Sequence, residues 1–159
     1  MDLHEKAILR KLEGILENQP VRIAVDAAIA EAKRQLDLDR QRPAGSVQLP
    51  LSESDASFPA GINSCRVVVF RAGREFQIER HPNSHQRVLS LEESGKIRVF
   101  EKSTPRSVSL HSDMHGPLEL RWVSLSENIW HQPISGSKDW VVLTFHTASE
   151  IELIDEYKD

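Results

Sequence analysis

Gly73-Arg74-Glu75-Phe76-Gln77-Ile78-Glu79-Arg80-His81-Pro82-Asn83-Ser84-His85-Gln86 is the stretch that decides the fold. Up to His81 it alternates. Phe76 and Ile78 share one face, and Glu75, Gln77, Glu79 and His81 share the other, the pattern of a strand with one polar side. Pro82-Asn83-Ser84 has turn chemistry, and 85–91 reads as the returning strand, closed by Glu92-Glu93-Ser94-Gly95. A hairpin of this kind places His85 beside His81.

Outward from it the same texture continues. Segments 65–71, 96–102, 118–125, 129–133, 140–147 and 151–157 are short, strand-like and separated by turns; 103–117, with Pro105, Gly116 and Pro117, reads as a loop with one short strand. Many short strands with frequent turns predict a sandwich or barrel.

Residues 1–40 are different. Leu3, Ala7, Ile8, Leu12, Ile15 and Leu16 recur at helical spacing, and Val21, Val25, Ala28, Ile29, Ala32 and Leu36 form a second stripe after the break at Asn18-Gln19-Pro20. The spacing predicts a helical hairpin with apolar faces to bury. The expected organisation is therefore hairpin over 1–40, a linker and lead-in over 41–63, and a β-barrel domain over 64–159. Exposed strand edges and the breadth of the apolar stripes predict a homodimer.

Composition excludes several functions. The chain has 159 residues, 39% of them apolar, and a formal charge of −4. That balance lacks the basic footprint of a nucleic-acid binder. It also lacks an apolar run long enough for a transmembrane helix, and its first residues lack the basic start of a signal peptide. Cys65 is the only cysteine, so no intrachain disulfide forms, and a reducing cytoplasmic setting is expected.

Candidate chemistry gathers in two places. Glu79 and His81 project from one strand face, His85 follows across the turn, and His131 lies in a later strand-like segment. Three imidazoles and a carboxylate suit one divalent transition metal, Zn, Fe, Ni, Cu or Mn, with a coordination position left for water or substrate. His146 is a further candidate, and Arg87 is a candidate for binding an anionic substrate. Trp130, beside His131, alternates to the opposite face and should not line the pocket.

These segments resemble the two conserved motifs of the cupin superfamily, small single-domain members in particular. The first motif is Gly, five residues, His-x-His, three or four residues, Glu, six residues, Gly. Gly73, Glu79-x-His81 and His85 match its spacing, with Glu79 at the first His position and His85 at the Glu position; with the longer spacing Gln86 takes that place. Gly95 comes later than the motif requires. In the second motif Ser126-Glu127-Asn128-Ile129-Trp130-His131 stands for Pro-x-Gly-x-x-His, so only His131 matches, and Ile134 stands where Asn would be. The resemblance implies a double-stranded β-helix barrel behind the N-terminal hairpin. It implies a metal held by Glu79, His81, His85 and His131, and a small-molecule metalloenzyme of dioxygenase, isomerase or decarboxylase type. The alternative is a non-catalytic cupin that binds or senses a metabolite.

Overall fold

The computed structural model describes residues 1–51, 58–101 and 104–158. Part of the predicted linker (52–57) and Lys102, at the end of one predicted strand, lie outside them.

Helix α1 (Leu3–Leu16) starts at Asp2, whose carboxylate accepts the Glu5 N–H at 2.8 Å. Helix α2 (Gln19–Leu38) begins with proline inside its first turn. Among the described residues ten strands follow: β1 (Ala44–Gln48), β2 (Ser64–Phe70), β3 (Glu79–Arg80), β4 (Gln86–Glu92), β5 (Ser94–Phe100), β6 (Arg106–His111), β7 (Trp122–Leu125), β8 (Trp130–Ser135), β9 (Trp140–His146) and β10 (Glu156–Tyr157), with a one-turn helix α3 (Leu118–Arg121) before β7. They form two antiparallel five-stranded sheets, ordered β1-β2-β9-β4-β7 and β10-β3-β8-β5-β6. The sheets face each other around a shared interior without closing into a continuous hydrogen-bonded ring.

Two apolar layers result from strand alternation. Inward, Val88, Val142 and Trp140 meet Ile97, Val99, Leu110, Val123 and Leu125. Outward, Val67, Val69, Leu89, Leu143 and Phe145 meet the stripes of α1 and α2, including Leu9, Leu12, Val25, Ile29 and Leu36. All of β9 is buried because it is covered on both faces, which is why it reads as Trp-Val-Val-Leu-Thr-Phe-His rather than as an alternating strand. Gly45 lets α2 lie directly on β1, since a Cβ there would overlap the Ala32 carbonyl. Gly95 seats the Trp140 ring in the same way.

The hairpin stripe predicted to support a homodimer is thus covered by the same chain, and a dimer must find its area elsewhere. The edge of β1 is also occupied: the Gln35 amide donates to the Ser46 carbonyl (3.2 Å) and accepts from the Ser46 N–H (3.1 Å), which blunts it for pairing with another strand. Three strands are shorter than their sequence predicts. Of 74–81 only Glu79–Arg80 pairs regularly, with one bridge from Glu75 to Ile134; 118–121 is helical; and of 151–157 only Glu156–Tyr157 pairs. β7 and β10 are edge strands, and β3 pairs only with the two-residue β10 and, at Glu79, with β8, so alternation extends beyond the ladder.

Candidate metal centre

The interior between the sheets holds a cavity of about 490 Å³. Arg66, Val68 and Phe70 of β2, Gln86 and Val88 of β4, and Val142, Thr144 and His146 of β9 line one side. Glu79, His81, Ile97, His131 and Pro133 line the other, with Asp155 and Tyr157 from the chain's end and Arg74, Glu75 and Phe76 at the rim.

Glu79 and His131 are direct partners across β3 and β8, so their side chains leave the sheet together. His81, two residues beyond Glu79, emerges on the same face. Among the described residues these three form a group whose donor atoms all lie within 4.8 Å of one another. Glu79 Oε1 is 3.4 Å from His131 Nε2, and the His81 and His131 rings are 5.4 Å apart.

The nitrogens of the two imidazoles are unequal. His131 Nδ1 donates to the Ile129 carbonyl at 3.0 Å, so in the neutral ring the proton is on Nδ1 and Nε2 carries the lone pair. His81 Nδ1 sits 2.9 Å from Asp155 Oδ1. The two atoms form a close electrostatic contact rather than a hydrogen bond of good geometry; the carboxylate still favours a proton on Nδ1. Both Nε2 atoms are buried without a hydrogen-bond partner. Two imidazoles with unpartnered buried nitrogens, grouped with a carboxylate, fit a metal ion.

The turn after His81 sets the phase of β4. Ser84, buried, accepts the N–H groups of Thr147 and Ala148 and pins that turn. The strand then begins at Gln86, so Gln86 points inward and His85 and Arg87 point outward. His85 does not join the metal group: its Nε2 lies 3.8 Å from Glu5 on helix α1. Burial and the neighbouring Arg87 lower its pKa. Arg87 likewise does not line this cavity. It makes a two-pronged ion pair with Glu5 at 2.7 and 2.9 Å, beside the Ser124 hydroxyl. Burial pushes the Glu5 carboxyl up, but its hydrogen bonds from Arg87 and Ser124 outweigh that, and it stays below the usual carboxylate range. Gln86 Oε1, buried and unpartnered, occupies the place predicted for His85.

His146 completes the wall. Its ring stands edge-on to His81 at 4.9 Å, with Nδ1 3.4 Å from Ser84 Oγ. Burial, reinforced by His81 and Arg66, lowers its pKa to about 3, so it is neutral around pH 7. Trp130 faces away from the cavity and stacks under the Arg80 guanidinium.

Asp155 was not anticipated from sequence. Its contacts with His81 and Arg66 hold its carboxyl below the usual range. It sits far down the chain from His81, in a segment where no local spacing marks it.

No protein-family model matches the chain, and a search of curated proteins finds no relative. Solved structures do match. A salicylate 1,2-dioxygenase from Pseudoaminobacter salicylatoxidans in complex with gentisate aligns at TM-score 0.58 and 14% identity, covering 84% of this chain and 35% of that one. An oxalate decarboxylase from Lactobacillus farciminis in a formate complex aligns at 0.53 and 15%, covering 73% and 31%. An oxalate oxidase in complex with the substrate analogue glycolate aligns at 0.54 and 10%, covering 70% and 54%. This chain spans between a third and about half of those proteins. At such identities the likeness establishes the fold, and the fold is the cupin double-stranded β-helix.

Proposed function

We propose that this cupin-fold chain binds one divalent transition metal through Glu79, His81 Nε2 and His131 Nε2 and acts as an enzyme on a small organic molecule. The observation that carries the reading is the grouping of Glu79, His81 and His131 donor atoms within 4.8 Å of one another, with both histidine Nε2 atoms buried and unpartnered. Two imidazoles and one carboxylate are a donor set suited to Fe(II), and the same atoms accept Zn, Mn, Ni or Cu. When bound, the metal supplies Lewis-acid activation of an oxygen ligand or, if redox-active, a site for O₂.

The protein's own groups do the rest. Val68, Phe70, Val88, Ile97 and Val142 give the cavity apolar walls that exclude water. Gln86 Oε1 and the neutral His146 offer hydrogen-bonding positions to a substrate beside the metal donors. Arg74, exposed at the rim, has no ion-pair partner among the described residues and attracts an anion, the role first expected of Arg87. A small carboxylate is the favoured substrate class; the glycolate, formate and gentisate bound in the three similar structures are carboxylates as well. No helix among the described residues is long and apolar enough to cross a membrane. The lone buried Cys65 suits a reducing compartment, so we place the protein in the cytoplasm. A homodimer, as part of the same reading, would use strand edges other than β1.

Elemental analysis of protein purified without chelator tests the reading. About one equivalent of a first-row transition metal per chain is expected, lost in the double variant H81A/H131A. Folded protein that carries no metal and takes none up on titration overturns it.

A further inference from the structure

Residues 147–158 fold back as a strap over the first metal-binding segment. Asn83 holds it from both sides, donating to the Glu152 carbonyl at 2.7 Å and accepting the Ile154 N–H at 3.1 Å. Lys158 N–H donates to the Ile78 carbonyl, Arg80 pairs with Glu156 at 2.6 Å, and β10 pairs with β3 so that Tyr157 lies opposite Glu79. Between these anchors the strap delivers one carboxylate into the cavity wall. Asp155 meets His81 Nδ1 at 2.9 Å on one side and Arg66 at 3.5 Å on the other, and Arg66 is tied by a 2.7 Å ion pair to Glu150, also on the strap.

We infer that Asp155 is a positioning residue for the metal centre: carried in by the C-terminal strap, it keeps the His81 proton on Nδ1 and turns Nε2 toward Glu79 and His131. The inference rests on the metal reading above. The physical reason is local. A neutral imidazole with a carboxylate beside one nitrogen places its proton there, because a lone pair facing the anion is repelled. Outer carboxylates of this kind both select the tautomer and raise the basicity of the donor nitrogen. His131 needs no such partner because the Ile129 carbonyl does the same work. The strap therefore supplies to one ligand what the backbone supplies to the other. Arg66, braced by Glu150, holds the Asp155 carboxylate in place.

The test has two readouts. Long-range 1H–15N NMR on metal-free protein reports which His81 nitrogen carries the proton. Nδ1–H is expected in the native chain, with loss of that preference in D155A and partial retention in D155N. Co(II) titration then reports affinity: a fall of about 10- to 100-fold is expected in D155A, less in D155N, and little change in E156A, which loosens the strap without touching His81. An unchanged tautomer in D155A overturns the inference, as does an E156A loss equal to that of D155A, since the strap would then act only by holding structure together. A native chain that takes up no Co(II) yet shows the Asp155-dependent tautomer supports the orienting contact and overturns the metal reading instead.

Discussion

On the outer side of β4, His85 and Arg87 meet Glu5 and Ser124. On its inner side, Gln86 faces the cavity with His81, His131 and His146. Both clusters draw on the same residue types and on neighbouring positions of one strand, yet they are built differently. Outside, the ion pairs are closed, although His85 Nε2 and Arg121 Nε lack hydrogen-bond partners: Arg87 grips Glu5 with two bonds, and on the next turns of α1 Glu13 pairs with Arg121 at 2.5 Å and accepts from Trp122 Nε1. Inside, three histidine nitrogens and the Gln86 oxygen are buried without a hydrogen-bond partner. Buried polar atoms cost free energy when left unmatched; the outer cluster is dominated by ion pairs that fasten α1, and the inner one holds the Glu79, His81 and His131 donor group.

Removing residues 1–40 should break this contrast most severely. The stripes of α1 and α2 cover Val67, Val69, Leu89 and Phe145. Each uncovered large apolar side chain costs about 1.5–3 kcal/mol, and a handful reaches the ~5–15 kcal/mol that holds a whole domain. The truncated chain is expected to aggregate or melt far earlier, measured by thermal unfolding and light scattering, although it keeps Glu79, His81 and His131. Equal heat stability would show that the outer layer is dispensable.

E5A sharpens the comparison within the clamp. It leaves the nearly buried Arg87 unpaired, and removing one partner of a buried ion pair costs about 3 kcal/mol. The midpoint of chemical denaturation should drop while metal content stays as in the native chain. Loss of metal in E5A would mean that the two sides of β4 are not independent.

Acid pH separates them in another way. In metal-free protein His146 keeps its pKa near 3 when folded, whereas an unfolded histidine titrates near 6.5. The unfolded state therefore takes up the proton first as pH falls, and the folded state loses about 1.4 kcal/mol per pH unit between those values. H146Q should flatten that limb of the stability curve. An acid limb identical to the native one would place the charge-sensitive group elsewhere.

The smallest expected effect is the most direct contrast. H85A should change metal content not at all and stability by about 0.5 kcal/mol or less, whereas H131A should abolish high-affinity binding. Elemental analysis of the two side by side decides it, and a metal-free H85A would return His85 to the centre.

Much of this was legible in the chain. The helical stripes of 3–16 and 21–36 specified the hairpin, the two-residue period around Glu79 and His81 specified a shared face, and His131 stood out as a histidine in a later strand. Burial pattern is local, and local periodicity records it. The tertiary structure decided the rest. Whether His85 or Gln86 enters the cavity depends on where β4 resumes after Pro82, and a slip of one residue turns every side chain to the other face; Ser84, bonded to the distant Thr147 and Ala148, settles that count. Arg87 became a clamp residue only because α1 packs on the outside of β4. Asp155 joined His81 only because the strap returns across the sheet. Such contacts bring together residues with no fixed separation along the chain, and a sequence pattern carries no record of them.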